Sequence, residues 1–368
     1  MEDPMTTNYA RSINDALPAI PLVDVGHGGA LRHAEQCRVR ARALRDACLG
    51  SFPRAMAPFV PALDGAARRW LTRSRSPYVP EITQIAATLG FSGVWLLNDS
   101  YQWGCTSFAR EEDGVPWLAR TLDWPFPGLG RHSDVVRSEA LAGEYFNVTW
   151  PGYAGVLTAM APRRFAACIN QAPLWRRTRH PWLRLYDLAA NVLHTWANIS
   201  HMPPDQLLRR VFESCDTYGA AKAALETTPV ARPVIYVLVG CAPNERCVIE
   251  RTENGFKTRE DETSATNDWT PSRPKWEARI APGLFLTCST VEAAARCRTR
   301  RDALIAWQGH LSQRGFDWVK PPILNPYTRL AVTMSPAQSI LRVVGYEMIG
   351  GGLPNQVTQI CEIKDLPV

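Results

Sequence analysis

The hydrophobic pattern changes period at residue 105, and this change constrains the fold more than any other feature of the chain. Upstream, Ala34, Cys37, Ala41, Leu44 and Cys48 recur at helical spacing with arginines between them, which predicts an amphipathic helix ending near Gly50. Pro53, Pro58 and Pro61 break the chain, and 66–71 and 82–89 predict two more short helices before Gly90. Downstream, short apolar runs predict strands at 117–122, 145–150, 155–160, 165–169, 234–239, 247–250, 284–287, 330–334 and 340–346. Helices are predicted between them at 183–196, 204–215, 218–225 and 291–308. Antiparallel strands with two inserted groups of helices predict an α+β layered protein rather than a doubly wound sheet. At 368 residues the chain can bury a large core, as one big domain or two ordinary ones.

The residues at the change of period carry chemistry. Gly104-Cys105-Thr106-Ser107-Phe108 is followed by Trp117-Leu118-Ala119-Arg120-Thr121-Leu122-Asp123, and the intervening Glu111-Glu112-Asp113-Gly114 reads as a hairpin turn. Such a hairpin folds Arg120 back beside Cys105. An arginine beside a thiol stabilises the thiolate, which is the nucleophilic form. A chain cut between Gly104 and Cys105 would also give Cys105 a free α-amine, with an unperturbed pKa of about 7.7 to 8.0, able to act as a general base. No histidine is then required. The plainer reading of Cys105 is one more small buried residue, and its neighbours favour the nucleophile.

Cys105-Thr106-Ser107, a glycine turn, then Arg120-x-x-Asp123-Trp124 resembles the acid ceramidase and N-acylethanolamine acid amidase family, relatives of bile salt hydrolases and penicillin V acylases among the N-terminal nucleophile (Ntn) hydrolases. The likeness continues in order through Gly152 to Met160, Ile169-Asn170-Gln171, Val234 to Gly240 with Cys247 to Arg251, and Ala265-Thr266-Asn267-Asp268-Trp269. The resemblance implies a four-layer αββα sandwich, a helical pro-segment over 1–104 that becomes an α subunit, and a catalytic β subunit over 105–368 beginning at Cys105. It implies that Asp123 orients the freed amine, that the Asn267 amide forms an oxyanion hole, and that the backbone or side chain of Asn170 completes it. A local salt bridge to Arg120 is the plain alternative for Asp123, and an Asx turn for Asn267. The family's last element is an arginine near the start of a helix. Arg296 fits its spacing from Ser289 best, with Arg298, Arg300 and Arg301 as competitors. The turn after Cys105 is one residue shorter than in the family, which a hairpin tolerates if the facing strands keep register.

The expected function is self-processing hydrolysis of fatty-acyl or related N-acyl amides through a Cys105 thioester. Alternatives are an acyltransferase of the same fold and a non-enzymatic lipid- or nucleic-acid-binding protein. Expected partners are a small-molecule N-acyl amide and the cleaved 1–104 segment. The run from Leu174 to Trp182 is basic and aromatic, which allows contact with a membrane surface; its ordinary role is a solvated loop, and no nucleic acid is expected. Trp175, Trp182 and a helical face of Leu185, Leu188, Val192, Leu193 and Trp196 are the candidate acyl pocket. The net charge of +6 is almost wholly arginine. The first thirty residues lack a basic stretch leading into an apolar one, which predicts a cytoplasmic protein with its 10 cysteines reduced. No C-x-x-C or H-E-x-x-H spacing occurs, so neither metal nor cofactor is expected. Gly26-His27-Gly28-Gly29 lacks the third glycine of a phosphate loop and reads as a helix cap.

Overall fold

The computed structural model describes residues 17–50, 58–99, 104–178, 183–278 and 290–364. Two sheets face each other. The first runs, neighbour to neighbour, Leu22–Gly26, Asp134–Ala140, Gly143–Thr149, Thr158–Ala161, Phe165–Gln171, Val234–Val239, Arg246–Thr252 and Gly255–Arg259. The second runs Ser264–Ala265, Gly104–Glu112, Val115–Asp123, Thr328–Ser335, Ile340–Glu347 and Asn355–Gln356, with Cys361–Ile363 also paired to Ile340–Glu347. All the pairings are antiparallel except Leu22–Gly26 with Asp134–Ala140.

Strand alternation divides the second sheet into two faces. Cys105, Ala109, Leu118, Leu122, Leu330, Val332 and Met334 share one buried cluster with Phe146, Met160, Cys168, Tyr236 and Leu238 of the first sheet. Phe108, Trp117, Ala119, Ala331 and Val344 face the other way, onto Leu304, Leu311 and Trp318. Helix Thr290–Ala306 thus covers one outer face, while Leu207, Leu208, Phe212 and Leu225 of helices Pro204–Ser214 and Tyr218–Thr227 join the core from the other side. The result is a layered αββα sandwich.

The hairpin predicted from Glu111 to Gly114 forms with a tighter turn. Glu112 pairs with Val115, and the two residues between them, Asp113 and Gly114, have φ of 52° and 77°. Both central residues left-handed is the type I′ turn that suits the right-handed twist of paired strands.

The segment before Cys105 holds helices Gly29–Gln36, Arg38–Gly50, Val60–Arg73, Val79–Leu89 and Val94–Asp99. It is not wholly helical: strand Leu22–Gly26 extends the first sheet through a parallel pairing. The helix predicted across Ala34 to Cys48 is interrupted at Cys37, and Gly28 caps the one that begins at Gly29. Buried polar contacts tie this segment to the rest. His33 Nε2 lies 2.9 Å from Asp134, which also accepts from Arg40; Arg209 pairs with Glu81; Arg232 lies 2.6 Å from Asp99. The strand predicted at 284–287 and Trp182 lie outside the described residues. Among the described residues no helix is long and apolar enough to cross a membrane.

Candidate active site

Register places the chemistry. Ser264 pairs with Phe108 and Ala265 with Ser107, so the chain continuing past Ala265 brings Asn267 level with Cys105. There Asn267 Oδ1 accepts the Cys105 backbone N–H at 2.8 Å. Across the hairpin Cys105 pairs with Leu122 and Ser107 with Arg120, so Arg120 is the diagonal neighbour of Cys105 on the inner face. A long side chain spans that diagonal: Arg120 Nη2 donates to Cys105 Sγ at 2.8 Å. The same guanidinium reaches the opposite sheet, donating to Ile169 O at 3.3 Å and to Thr158 Oγ1.

Asp123 lies on the other face by the same alternation. Its partners are therefore not Arg120 but groups from the outer layer and the neighbouring strand. Arg300 Nη1 donates to Asp123 Oδ2 at 3.0 Å, Asn325 Nδ2 donates to the same oxygen at 2.8 Å, and Thr328 Oγ1 donates to Oδ1 at 2.9 Å. Arg300 also donates to Cys105 O at 3.2 Å, Thr106 Oγ1 at 2.9 Å and Asn267 Oδ1 at 3.3 Å. One guanidinium therefore joins Asp123, the Cys105 backbone and Asn267.

Cys105 is fully buried. Burial pushes its thiol above the ordinary cysteine value; the Arg120 charge pulls it down and Asp123 pushes it up. Arg120 is thus in place to stabilise a thiolate at this position. Burial likewise raises Cys168, in the facing strand, to about 12.

Of the residues singled out from sequence, Cys105, Arg120, Asp123, Asn170 and Asn267 converge. Asn170 is occupied in a particular way: its Nδ2 donates to Ala265 O at 3.0 Å and Thr266 O at 3.2 Å, and its Oδ1 accepts from Ser107 at 3.0 Å. Its side chain holds the Asn267 loop against the first sheet. Arg296 does not join the site. It is 55% exposed and paired with Glu292 one turn away, while Arg300 occupies the inward position. Helical spacing is the reason, because Ala293, Cys297, Arg300 and Leu304 form the buried stripe of this helix and Arg296 lies off it.

We expect Arg296→Ala to keep activity and stability near wild type, since an exposed i,i+4 pair contributes about 0.3 to 0.5 kcal/mol. Arg300→Met should abolish activity and lower unfolding stability by about 3 to 5 kcal/mol, the cost of leaving a buried partner charge uncompensated. Denaturant melts and amide-hydrolysis assays of the two variants check this; equal effects would remove Arg300 from the site.

No protein-family model matches the chain. N-acylethanolamine-hydrolyzing acid amidase of Mus musculus is 24% identical over 286 residues, 71% of this chain and 70% of the mouse protein. The Oryctolagus cuniculus amidase of the same name is 28% identical over 187 residues, about half of each chain at 49%. The chain thus resembles these N-acylethanolamine-hydrolyzing acid amidases in sequence. Among solved structures, a Caenorhabditis elegans ortholog of that amidase aligns at 18% identity and TM-score 0.41, covering 63% of this chain and 93% of its own. Conjugated bile acid hydrolase of Clostridium perfringens aligns at 12% identity and TM-score 0.39, covering 71% and 92%.

The chain also holds a mainly apolar cavity of about 890 Å³, whose lining includes none of Cys105, Arg120, Asp123, Asn170, Asn267 and Arg300. Trp124 and Ala172, which follow Asp123 and Gln171 in the chain, are among its lining residues. Trp175 lines it as expected, but from helix Arg184–Asn198 the lining residues are Asn191, His194 and Trp196, and Leu193 is 66% exposed. Leu185, Leu188 and Val192 have no described side-chain placement. Most of the apolar wall comes instead from the segment before Cys105, through residues such as Leu44, Leu63, Trp70 and Leu97. Sequence reading missed that contribution because those residues also serve as helix-packing positions.

Proposed function

We propose that this chain cleaves itself before Cys105 and then hydrolyses N-acyl amides carrying a linear apolar acyl group. The observation that carries the reading is the double grip on Cys105: its backbone N–H on Asn267 Oδ1 and its sulfur on Arg120. In self-cleavage, Cys105 Sγ adds to the Gly104 carbonyl carbon while the thiol proton passes to the leaving nitrogen. The Gly104–Cys105 C–N bond breaks, leaving a thioester and a free α-amine. Water then hydrolyses the thioester, giving Gly104 a carboxylate and restoring the thiol.

In turnover the amine takes the thiol proton, sulfur attacks the substrate acyl carbon, and the oxyanion is met by the Asn267 amide. The resulting ammonium returns its proton to the leaving amine, and water resolves the acyl-enzyme. Asp123 acts through Arg300, which holds the Cys105 backbone in register. The 1–104 segment would stay bound after cleavage, because its strand pairing, its polar contacts from His33 to Asp134 and from Asp99 to Arg232, and its share of the cavity wall persist without a peptide bond. Mass spectrometry of purified protein tests the processing step. Two fragments meeting at Gly104 and Cys105 are expected, and a single intact chain with full amidase activity would overturn the mechanism.

The apolar cavity supports a fatty-acyl substrate. Each methylene buried there is worth about 0.8 kcal/mol, about fourfold in kcat/KM, until the cavity is filled. A series of N-acyl amides from short to long chains should show that rise, with a further gain on anionic vesicles, because an arginine-rich surface concentrates amphiphiles there. A preference for acetyl or bulky steroid amides would reject the lipid assignment and leave the cysteine chemistry intact.

A further inference from the structure

Three side chains of zinc-ligating type meet where helix Gly29–Gln36 ends against the first sheet. His33 and Cys37 are four residues apart, which stacks them on one face of the helix end. Asp134, the first residue of strand Asp134–Ala140, meets them from the sheet. A ring nitrogen of His33, the Cys37 sulfur and a carboxylate oxygen of Asp134 all lie within 4.8 Å of one another. None of the three lines the acyl cavity. The absence of a metal site expected from sequence rested on paired-ligand motifs, and this set instead joins one helix turn to a strand about a hundred residues on.

Hydrogen bonding alone does not account for the set. His33 Nε2 lies 2.9 Å from Asp134 Oδ2, and Arg40 takes the other oxygen, its Nε at 3.1 Å and its Nη2 at 2.6 Å from Oδ1. That network would hold helix to strand with any small residue at position 37. The thiol is an addition it does not call for, and Cys37 is in no disulfide.

The donors select the ion. Imidazole, thiolate and carboxylate are the three ligand types of zinc, and tetrahedral bonds of the usual lengths set such donors about 3.3 to 3.6 Å apart. Modest side-chain rotations bring this cluster to that spacing. A thiolate ligand disfavours magnesium and calcium. Charge agrees, because a divalent ion balances the thiolate and the carboxylate. Arg40 remains on Oδ1, where it orients the carboxylate as outer partners of metal ligands do, with its own side chain 32% exposed to solvent. His33 and Asp134 are buried, whereas Cys37 is half-buried, so its side admits the ion and a water as fourth ligand.

We propose that His33, Cys37 and Asp134 form a zinc site that staples the segment before Cys105 to the first sheet. Binding releases the Cys37 thiol proton, and His33 coordinates through Nε2 as a neutral imidazole with its proton on Nδ1. Two ligands precede Cys105 and one follows it, so the staple holds in an intact or a cut chain alike.

The full chain, stripped of metal by a chelator and kept reduced, is titrated with Co²⁺ and separately with Zn²⁺. Thiolate bound to Co²⁺ gives a charge-transfer band in the near ultraviolet, which should saturate at about one ion per chain. Zn²⁺, which follows Co²⁺ in the affinity order, should then bleach it. Zn²⁺ alone should raise Tm saturably, as any ligand of the folded state does. Cys37→Ser should lose the band and most of the rise in Tm. His33→Gln, whose amide can still donate to Asp134, should lose most of the rise as well. Other cysteines are the competing source of a band. A band that persists in Cys37→Ser comes from them and overturns the proposal, as does a wild type with no saturable band. Cys37 is half-buried and serine is close to it in size, so that variant keeps the comparison decisive if the His33 variant fails to fold.

Discussion

Cys105→Ala should run as one uncut chain and hydrolyse no N-acyl amide above background. In the proposed mechanism both losses come from one atom, because the sulfur that would open the Gly104–Cys105 bond is the sulfur that would later carry the acyl group. Deleting the nucleophile of a hydrolytic site that acts as a unit costs on the order of 10⁶-fold in kcat, so residual turnover should be below detection. The variant should still fold. Alanine keeps the Cβ, and the Asn267, Arg300 and Asp123 network is anchored on the backbone of residue 105 and on neighbours the substitution leaves in place. Gel electrophoresis with intact-mass measurement reads the first loss, and amine release from an N-acyl amide reads the second. A variant that is cut like wild type would move the processing chemistry to another residue, and one that is uncut yet active would separate catalysis from Cys105 altogether.

The parts of this site that were legible in the sequence are those fixed by local register. Cys105 and Arg120 are joined by a hairpin whose Asp113-Gly114 turn dictates the pairing, so their contact follows from spacing. Asn267 was legible as a family motif. Its physical reason, alignment with Cys105 beyond an edge strand of only two residues, needed the structure. Arg300 was harder. Four arginines competed in an arginine-rich helix, and the deciding signal was a charge in the otherwise buried stripe of Ala293, Cys297 and Leu304, a position where a cation survives only with a partner. Asn325 and Thr328, which bond Asp123 from about two hundred residues along the chain, had no sequence signal at all. The first strand was missed for a related reason. Leu22–Gly26 is five residues long and pairs in parallel with a strand more than a hundred residues away, so no turn or hairpin announces it.

Asn267→Ala should lower kcat by about 100- to 1000-fold, the loss typical of one oxyanion donor, with little change in KM. The side chain has two ends with two uses. Oδ1 accepts from the Cys105 nitrogen and from Arg300, so it fixes where the general base sits; Nδ2 donates to Gln171 O at 3.0 Å, which aims the amide along the gap between the two sheets. Truncation removes both, so self-cleavage should slow along with turnover. Asn267→Asp separates them. A carboxylate retains the acceptor toward Cys105 and Arg300 but offers no N–H to an oxyanion, so it should be cut more readily than the alanine variant while remaining as poor in turnover. Each variant is timed for conversion to two fragments, then assayed on matured protein. A change confined to KM would show that Asn267 binds the substrate ground state and not the transition state. An aspartate variant with wild-type kcat would take the oxyanion role away from this residue and leave the Asn170 backbone as its remaining holder.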